Sequence, residues 1–329
     1  MTHPERLGKY RVTGVLGEGA MGVVYKGFDP DIQRVVALKT IRRLEGQGEV
    51  DSGQRSAARF RNEAKAAGRL LHPGIVGVYD FGDDGQVAYI AMEFVPGHTL
   101  SRYLAQRVPF GASDIASVMV QLLDALGHAH ENGVWHRDVK PSNLIVMHTG
   151  RVKIADFGIA RTDTGDRTLA NSVLGTPMYM APEHFMGRQI DHRVDIYAAG
   201  VVLYQLLTGR APFVGTPEAT MYQAVNDRPL APSAVDGGSG LAMFDRVVAN
   251  ALAKDPAQRF PHAAGFRDAM LSALGSVPPG LLSQAVVHAL PVAEKTTPGV
   301  RPDMVSAPRL TLPSAAPSSG ADFAPDPLG

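Results

Sequence analysis

The sequence predicts an α+β protein of two lobes, a small β-rich one followed by a larger and mainly α-helical one. Two observations carry this. Between Tyr10 and about Ala91, short apolar runs bounded by Gly, Asp or Pro succeed one another, with a single long helical pattern among them. Beyond Val95-Pro96-Gly97 the apolar residues switch to helical spacing and keep it to about Leu274.

The expected strands are YRVTGVLG, VVYKGFD, RVVALKTI, GIVGVYDFG and VAYIAMEF, all rich in β-branched and aromatic residues. The helix among them covers about 53–71, GQRSAARFRNEAKAAGRLL, built from Ala, Arg and Glu. This gives an N-terminal extension at 1–9, an N-lobe at 10–92 and a connecting hinge at 93–97. A C-lobe at 98–274 holds helical patterns such as DIASVMVQLLDALGHAHENG, DHRVDIYAAGVVLYQLLTG, PEATMYQAV and HAAGFRDAMLSALG. Residues 275–329 are rich in Pro, Ala and Ser, and a largely disordered tail is expected there. Within it, GLLSQAVVHAL at 280–290 reads two ways, as a short apolar helix docking on the domain or a partner, or as disordered chain.

Composition narrows the function classes. The chain is 45% hydrophobic, and its 32 basic residues equal its 32 acidic ones, so no net positive field attracts nucleic acid or anionic membrane. With no cysteine, disulfides, thiolate catalysis and cysteine-bound metals are excluded. The polar N-terminus MTHPERLGKYRV has no signal-peptide texture, which makes a cytoplasmic location the expectation. No membrane span is expected either: IYAAGVVLYQLLTG at 196–209 is too short, and 269–293 is interrupted by Pro278, Pro279 and Pro291.

The first chemical motif is Gly17-Glu18-Gly19-Ala20-Met21-Gly22, followed by Val23 and Val24, a G-x-G-x-x-G pattern in which bare backbone N–H groups can approach phosphate. A dinucleotide-binding loop of this pattern opens a helix, whereas Val23-Val24-Tyr25-Lys26 continues as a strand, which favours a glycine hairpin over a nucleotide. Lys39 ends the apolar run Val36-Ala37-Leu38, and Glu63 lies mid-helix among alanines. Each alone reads as a solvated surface charge, and the pair gains meaning only as part of a set. Further on come His136-Arg137-Asp138-Val139-Lys140-Pro141-Ser142-Asn143 and then Asp156-Phe157-Gly158. Singly these are a core histidine and turn residues, but the ordered set is highly specific.

In this order and spacing the motifs resemble the Hanks-type serine/threonine protein kinases, and the wording LGEGAMGVVYKG, HRDVKPSN and DFGIAR resembles the bacterial members. The resemblance implies a bilobal kinase fold and transfer of the γ-phosphate of ATP to protein Ser/Thr hydroxyls, with a pseudokinase scaffold as the alternative. It implies that Asp138 handles the substrate proton, Lys140 meets the γ-phosphate, and Lys39 paired with Glu63 holds the α- and β-phosphates. Asn143 and Asp156 are implied as ligands of Mg2+, with Mn2+ as a substitute. For the nucleotide it implies Leu16, Gly17, Glu18, Gly19, Ala20, Met21, Gly22, Val23, Val24, Ala37, Lys39, Met92 as gatekeeper, and Glu93 and Val95 in the hinge. Val23 and Ala37 are expected to cover the adenine ring.

The segment Gly175-Thr176-Pro177-Met178-Tyr179-Met180-Ala181-Pro182-Glu183 resembles the end of an activation loop. Thr176 is implied to contact Asp138 and Lys140, Glu183 to pair with Arg259, and Asp195 to bond the catalytic-loop backbone. Arg137 before Asp138 implies a phosphate sensor, with Thr168 as the preferred phosphorylation site and Ser172 as another. The implied partners are ATP and protein substrates, and a homodimer for autophosphorylation in trans.

Overall fold

In the computed structural model the described residues are 3–19, 22–42, 61, 64–83, 87–157, 177–235, 238–275 and 280–291. The N-terminal part is an antiparallel sheet of β1 (Arg6–Leu7), β2 (Tyr10–Gly19), β3 (Gly22–Asp29), β4 (Arg34–Arg42), β5 (Val78–Asp83) and β6 (Val87–Glu93), in the spatial order β1-β2-β3-β4-β6-β5. The sheet therefore begins before residue 10. Leu7 pairs with Tyr10 and is buried, so the expected extension at 1–9 is partly an edge strand of this lobe.

Side chains alternate across the sheet with a period of two, which separates two apolar layers. Leu7, Tyr10, Val23, Tyr25, Val36, Leu38, Tyr89 and Ala91 pack on one face. Ala37, Ile90 and Met92 pack on the other, with Ala64, Val76, Val95 and the partly buried Val24. Residues 64–67 are helical, inside the expected 53–71 helix, most of which lies outside the described residues.

After the hinge, β7 (Gly97–Thr99) joins β8 (Leu144–Met147) and β9 (Val152–Ile154) in a second antiparallel sheet, order β7-β8-β9. Between β7 and β8 come α1 (Leu100–Ala105) and the long α2 (Ala112–Glu131). The C-lobe continues with α3 (Pro182–Met186), α4 (Arg193–Thr208), α5 (Pro217–Asn226), α6 (Asp245–Ala251) and α7 (Ala263–Leu274).

Helix α4 is apolar on nearly every side because it is the centre of the lobe, where Ile196, Tyr197, Val201, Val202 and Leu203 are fully buried. It ends at Gly209, whose φ of +71° takes the left-handed conformation that a β-carbon disfavours. No helix among the described residues is long and apolar enough to cross a membrane.

The expected boundary at 274 is not where the packing stops. Residues 280–291 form a short helix, α8 (Gln284–Val287), with flanking chain, and Leu282, Val286, Val287 and Leu290 are buried in the core that includes α2. Composition grouped them with the Pro-rich tail, but four apolar side chains at compatible spacing give this stretch enough surface to bury.

Candidate active site

The catalytic-loop motif lies between α2 and β8, and its backbone is fixed from beneath by α4. The Asp195 carboxylate accepts from His136 N at 2.8 Å and from Arg137 N at 2.7 Å, and His130 Nε2 lies 2.8 Å from it. Asp195 is almost completely buried. Burial alone would raise its pKa, yet the His130 hydrogen bond and charge and the His136 contacts outweigh it and hold the carboxyl below its ordinary value.

His136 is fully buried and donates from Nε2 to Ala155 O at 2.8 Å, while Nδ1 accepts from Asp138 N at 3.2 Å. Burial keeps its pKa low, favouring the neutral ring that can donate and accept at once. The same side chain thus orients Asp138 and ties the loop to the residue before Asp156. Arg137 and Asp156 both have positive φ, +62° and +65°, a strained backbone for residues with a β-carbon and one that local bonding must hold in place.

Above this floor the polar groups converge. Lys140 Nζ is 2.6 Å from Asp138 Oδ2. Asn143 Nδ2 donates to Asp138 O at 2.8 Å and Oδ2 at 3.2 Å. With the amide nitrogen turned inward, Asn143 Oδ1 is the atom left to act as an outward acceptor. Lys39, on β4, reaches across to Asp156 Oδ1 at 2.8 Å. Its expected partner Glu63 lies outside the described residues, as do Ala20 and Met21 of the glycine hairpin and Thr168, Ser172 and Thr176 of the loop.

The hairpin itself is present, with Gly19 paired to Gly22, and exposed Leu16, Gly17 and Glu18 leading up to it. Gly22 has φ +155°, and a β-carbon there would lie 1.8 Å from Thr40 O, so the close approach of β3 to β4 requires glycine. On the adjoining apolar face one expectation needs correction. Val23 packs in the outer layer with Tyr25 and Leu38, and Val24 takes the place beside Ala37. The reason is the strand period: Val24 is opposite Lys39 and shares its face, which places Val23 on the other.

Met92 is opposite Ala37 and buried, and Val95 completes the same layer. Glu93 N donates to Gly77 O at 2.8 Å, so any adenine contact by Glu93 falls to its carbonyl. Its carboxylate is taken by Lys153 Nζ at 2.8 Å, which also donates to Ile75 O at 3.2 Å. Lys153 and His130 were not singled out in the sequence. His130 is a polar residue on a helix of 20 residues that has one other histidine, His128, and its pairing with Asp195 depends on two helices meeting. Lys153 is the middle residue of a three-residue strand and is only partly buried there.

The downstream segment bears out one expected contact: Arg259 binds Glu183 through two hydrogen bonds, at 2.6 and 2.7 Å. Arg137 lies with its guanidinium 5.1 Å from the Trp135 ring.

Comparison with known proteins agrees with this geometry. The protein kinase domain family matches residues 10–263. A Streptomyces coelicolor protein named "Probable serine/threonine-protein kinase SCO3848" is 40% identical over 289 residues, 85% of this chain and 42% of its own length. Serine/threonine-protein kinase pkn3 of Myxococcus xanthus is 41% identical over 273 residues, 79% of this chain and 49% of its own. Serine/threonine-protein kinase PknB of Mycobacterium tuberculosis is 38% identical over 288 residues, 85% of this chain and 45% of its own. The chain thus spans less than half the length of these relatives. On the match over 10–263 and the site just described, the chain belongs to the protein kinase domain family.

Proposed function

We propose that this chain is a serine/threonine protein kinase that transfers the γ-phosphate of ATP to hydroxyl groups of proteins. The contact between Lys140 Nζ and Asp138 Oδ2 carries the reading: it sets a proton acceptor and a cation side by side. That is what phosphoryl transfer needs, a group to receive the hydroxyl proton and a charge to meet the developing negative oxygens. Names of relatives at 38–41% identity support the same reaction and acceptor class.

A divalent cation fits the residues present. Asn143 Oδ1 and the Asp156 carboxylate are hard oxygen donors, and a pair of such donors completed by phosphate oxygens suits Mg2+. Bound there, the ion neutralises phosphate charge. Lys39 orients the α- and β-phosphates, with Glu63 as its proposed second partner. Asp138 takes the hydroxyl proton, and Val24, Ala37 and Met92 offer the apolar walls for adenine.

Regulation by phosphorylation of Thr168, with Ser172 as an alternative, is part of the same reading, since Arg137 stands beside the base as a receptor for phosphate. Thr176 is proposed to contact Asp138 and Lys140.

Purified protein incubated with labelled ATP, Mg2+ and a generic protein substrate tests the reaction. Label is expected on Ser and Thr, and Asp138→Asn is expected to remove it. Nucleotide binding with no transfer under any loop phosphorylation state would instead make the chain a pseudokinase.

A further inference from the structure

The family match ends at residue 263, yet helix α7 and residues 280–291 beyond it are packed into the domain. The last stretch, 280–291, crosses three elements of the C-lobe. At α2, Ser117 Oγ donates to Gly280 O at 2.5 Å, and Asp114 accepts from Ser283 N at 2.7 Å and Ser283 Oγ at 3.2 Å. At the turn joining β8 to β9, Leu282 N donates to Gly150 O at 3.1 Å. At the hinge end, His98 Nε2 donates to Pro291 O at 2.7 Å. Asp114, Ser117 and His98 are all buried, so these are interior contacts.

His98 is the point where this stretch meets the strand next to the hinge, on the face of β7 that Val146 shares with the helical core. It is the middle residue of β7, the strand that leaves the hinge, and it is opposite Val146 on β8. With β7 an edge strand in the order β7-β8-β9, its pairing comes from β8 alone. Its fit there is tight: a β-carbon at Gly97 would lie 2.1 Å from Val146 O. The imidazole uses both nitrogens, Nε2 on Pro291 O and Nδ1 accepting from Arg102 at 3.1 Å, and Arg102 belongs to α1. One side chain thereby links the chain's C-terminal continuation, the strand after the hinge and the helix that follows it.

We propose that residues 280–291 are a strap that sets the position of the hinge, with His98 as the positioning residue, so that events beyond residue 291 reach the nucleotide pocket through Pro291. The strap touches none of Asp138, Lys140, Asn143 or Asp156. Its release therefore changes nucleotide affinity and leaves the chemical step alone. The proposal rests on the nucleotide reading of the hinge, but its first readout does not depend on phosphoryl transfer.

The test uses the full chain with His98→Leu, His98→Gln and Val287→Asp. Fluorescent ATP-analogue binding, amide exchange over 97–105 and 144–152, and kcat at saturating ATP are measured. His98→Leu is expected to weaken nucleotide binding about fivefold, the low end of a typical coupling between sites, and to speed exchange in 97–105, with kcat within about twofold. Glutamine, which keeps a donor at the reach of Nε2, is expected to restore both. Val287→Asp is expected to reproduce the shift, and His98→Leu to add nothing to it. Unchanged binding in His98→Leu overturns the proposal, as does a shift that glutamine fails to rescue. If phosphate transfer is absent in every protein, the kinase reading fails while the binding and exchange results still decide the strap.

Discussion

Arg259 holds Glu183 with both terminal nitrogens, Nη1 on Oε1 and Nη2 on Oε2, and both side chains are buried. The guanidinium also donates to Ala253 O at 2.8 Å, Arg193 O at 3.1 Å and Lys254 O at 3.3 Å, so one residue ties α3, α4 and the chain after α6 together. Taking two charges out of water offsets much of their attraction, whereas removing one partner strands the other. Glu183→Ala is expected to lose about 3–5 kcal/mol of stability. Arg259→Met with Glu183→Met is expected to lose less than the sum of the two single changes, and urea unfolding of the four proteins measures the difference.

The architecture was legible where a period or an ordered motif carried it. Alternation in β3, β4 and β6 and the helical spacing after residue 97 gave the two lobes. The ordered polar motifs identified Asp138, Lys140, Asn143 and Asp156, which the fold brings together. Resemblance alone assigned Glu183 to Arg259, since 76 residues separate them and no local rule joins them. What escaped was set by phase and by tertiary contact. Val23 and Val24 are both valines, and only the register of β3 against β4 tells which faces Lys39. The strap's apolar residues sit in a Pro-rich context that composition reads as tail, and Lys153 gains its meaning from a hinge carboxylate 60 residues away.

Two buried groups, His136 of the catalytic loop and Asp195 beneath it, give stability an acid limb with two stages. Burial lowers the pKa of His136, so the unfolded chain takes up a proton more readily than the folded one. Stability from this group is complete above an ordinary histidine value of about 6.5 and falls as pH drops below it. The Asp195 carboxyl is held low, so its contribution persists to about pH 4 and is lost only below that. Denaturation midpoints measured from pH 7 to 3 are expected to show an early decline that His136→Phe flattens. A late decline is expected to be flattened by Asp195→Asn.

Gly22 is the position where the nucleotide hairpin meets β4 most closely. Its neighbour Val23 N donates to Thr40 Oγ1 at 3.2 Å, and Thr40 Oγ1 donates back to Val23 O at 2.9 Å, so the strands cannot separate without losing both bonds. Gly22→Ala puts a β-carbon against Thr40 O and is expected to cost about 1–3 kcal/mol of stability. ATP KM is expected to rise by more than kcat falls, because on the proposed function the hairpin holds phosphate before and during transfer alike. Steady-state kinetics over a range of ATP concentrations, with Gly14→Ala as a control where a β-carbon meets nothing within 4 Å, checks it.

Lys254 supplies the clearest alkaline signature. Its ammonium donates to Gln223 O at 3.1 Å and Ala224 O at 2.5 Å and lies 4.5 Å from the Phe213 ring centre. Burial, with the Arg259 charge acting the same way and Asp227 opposing it, lowers its pKa to about 8. The unfolded lysine keeps its proton to about 10.4. Between those limits the unfolded chain binds more protons than the folded one, so stability rises with pH from about 8 upward. Methionine in its place carries no titrating group but fills similar volume, so Lys254→Met is expected to remove the slope. Denaturation midpoints between pH 7.5 and 9.5, a range kept below the ordinary ionisation of tyrosine at about 10, measure the two slopes. Parallel curves for the two proteins would assign the alkaline behaviour to another group.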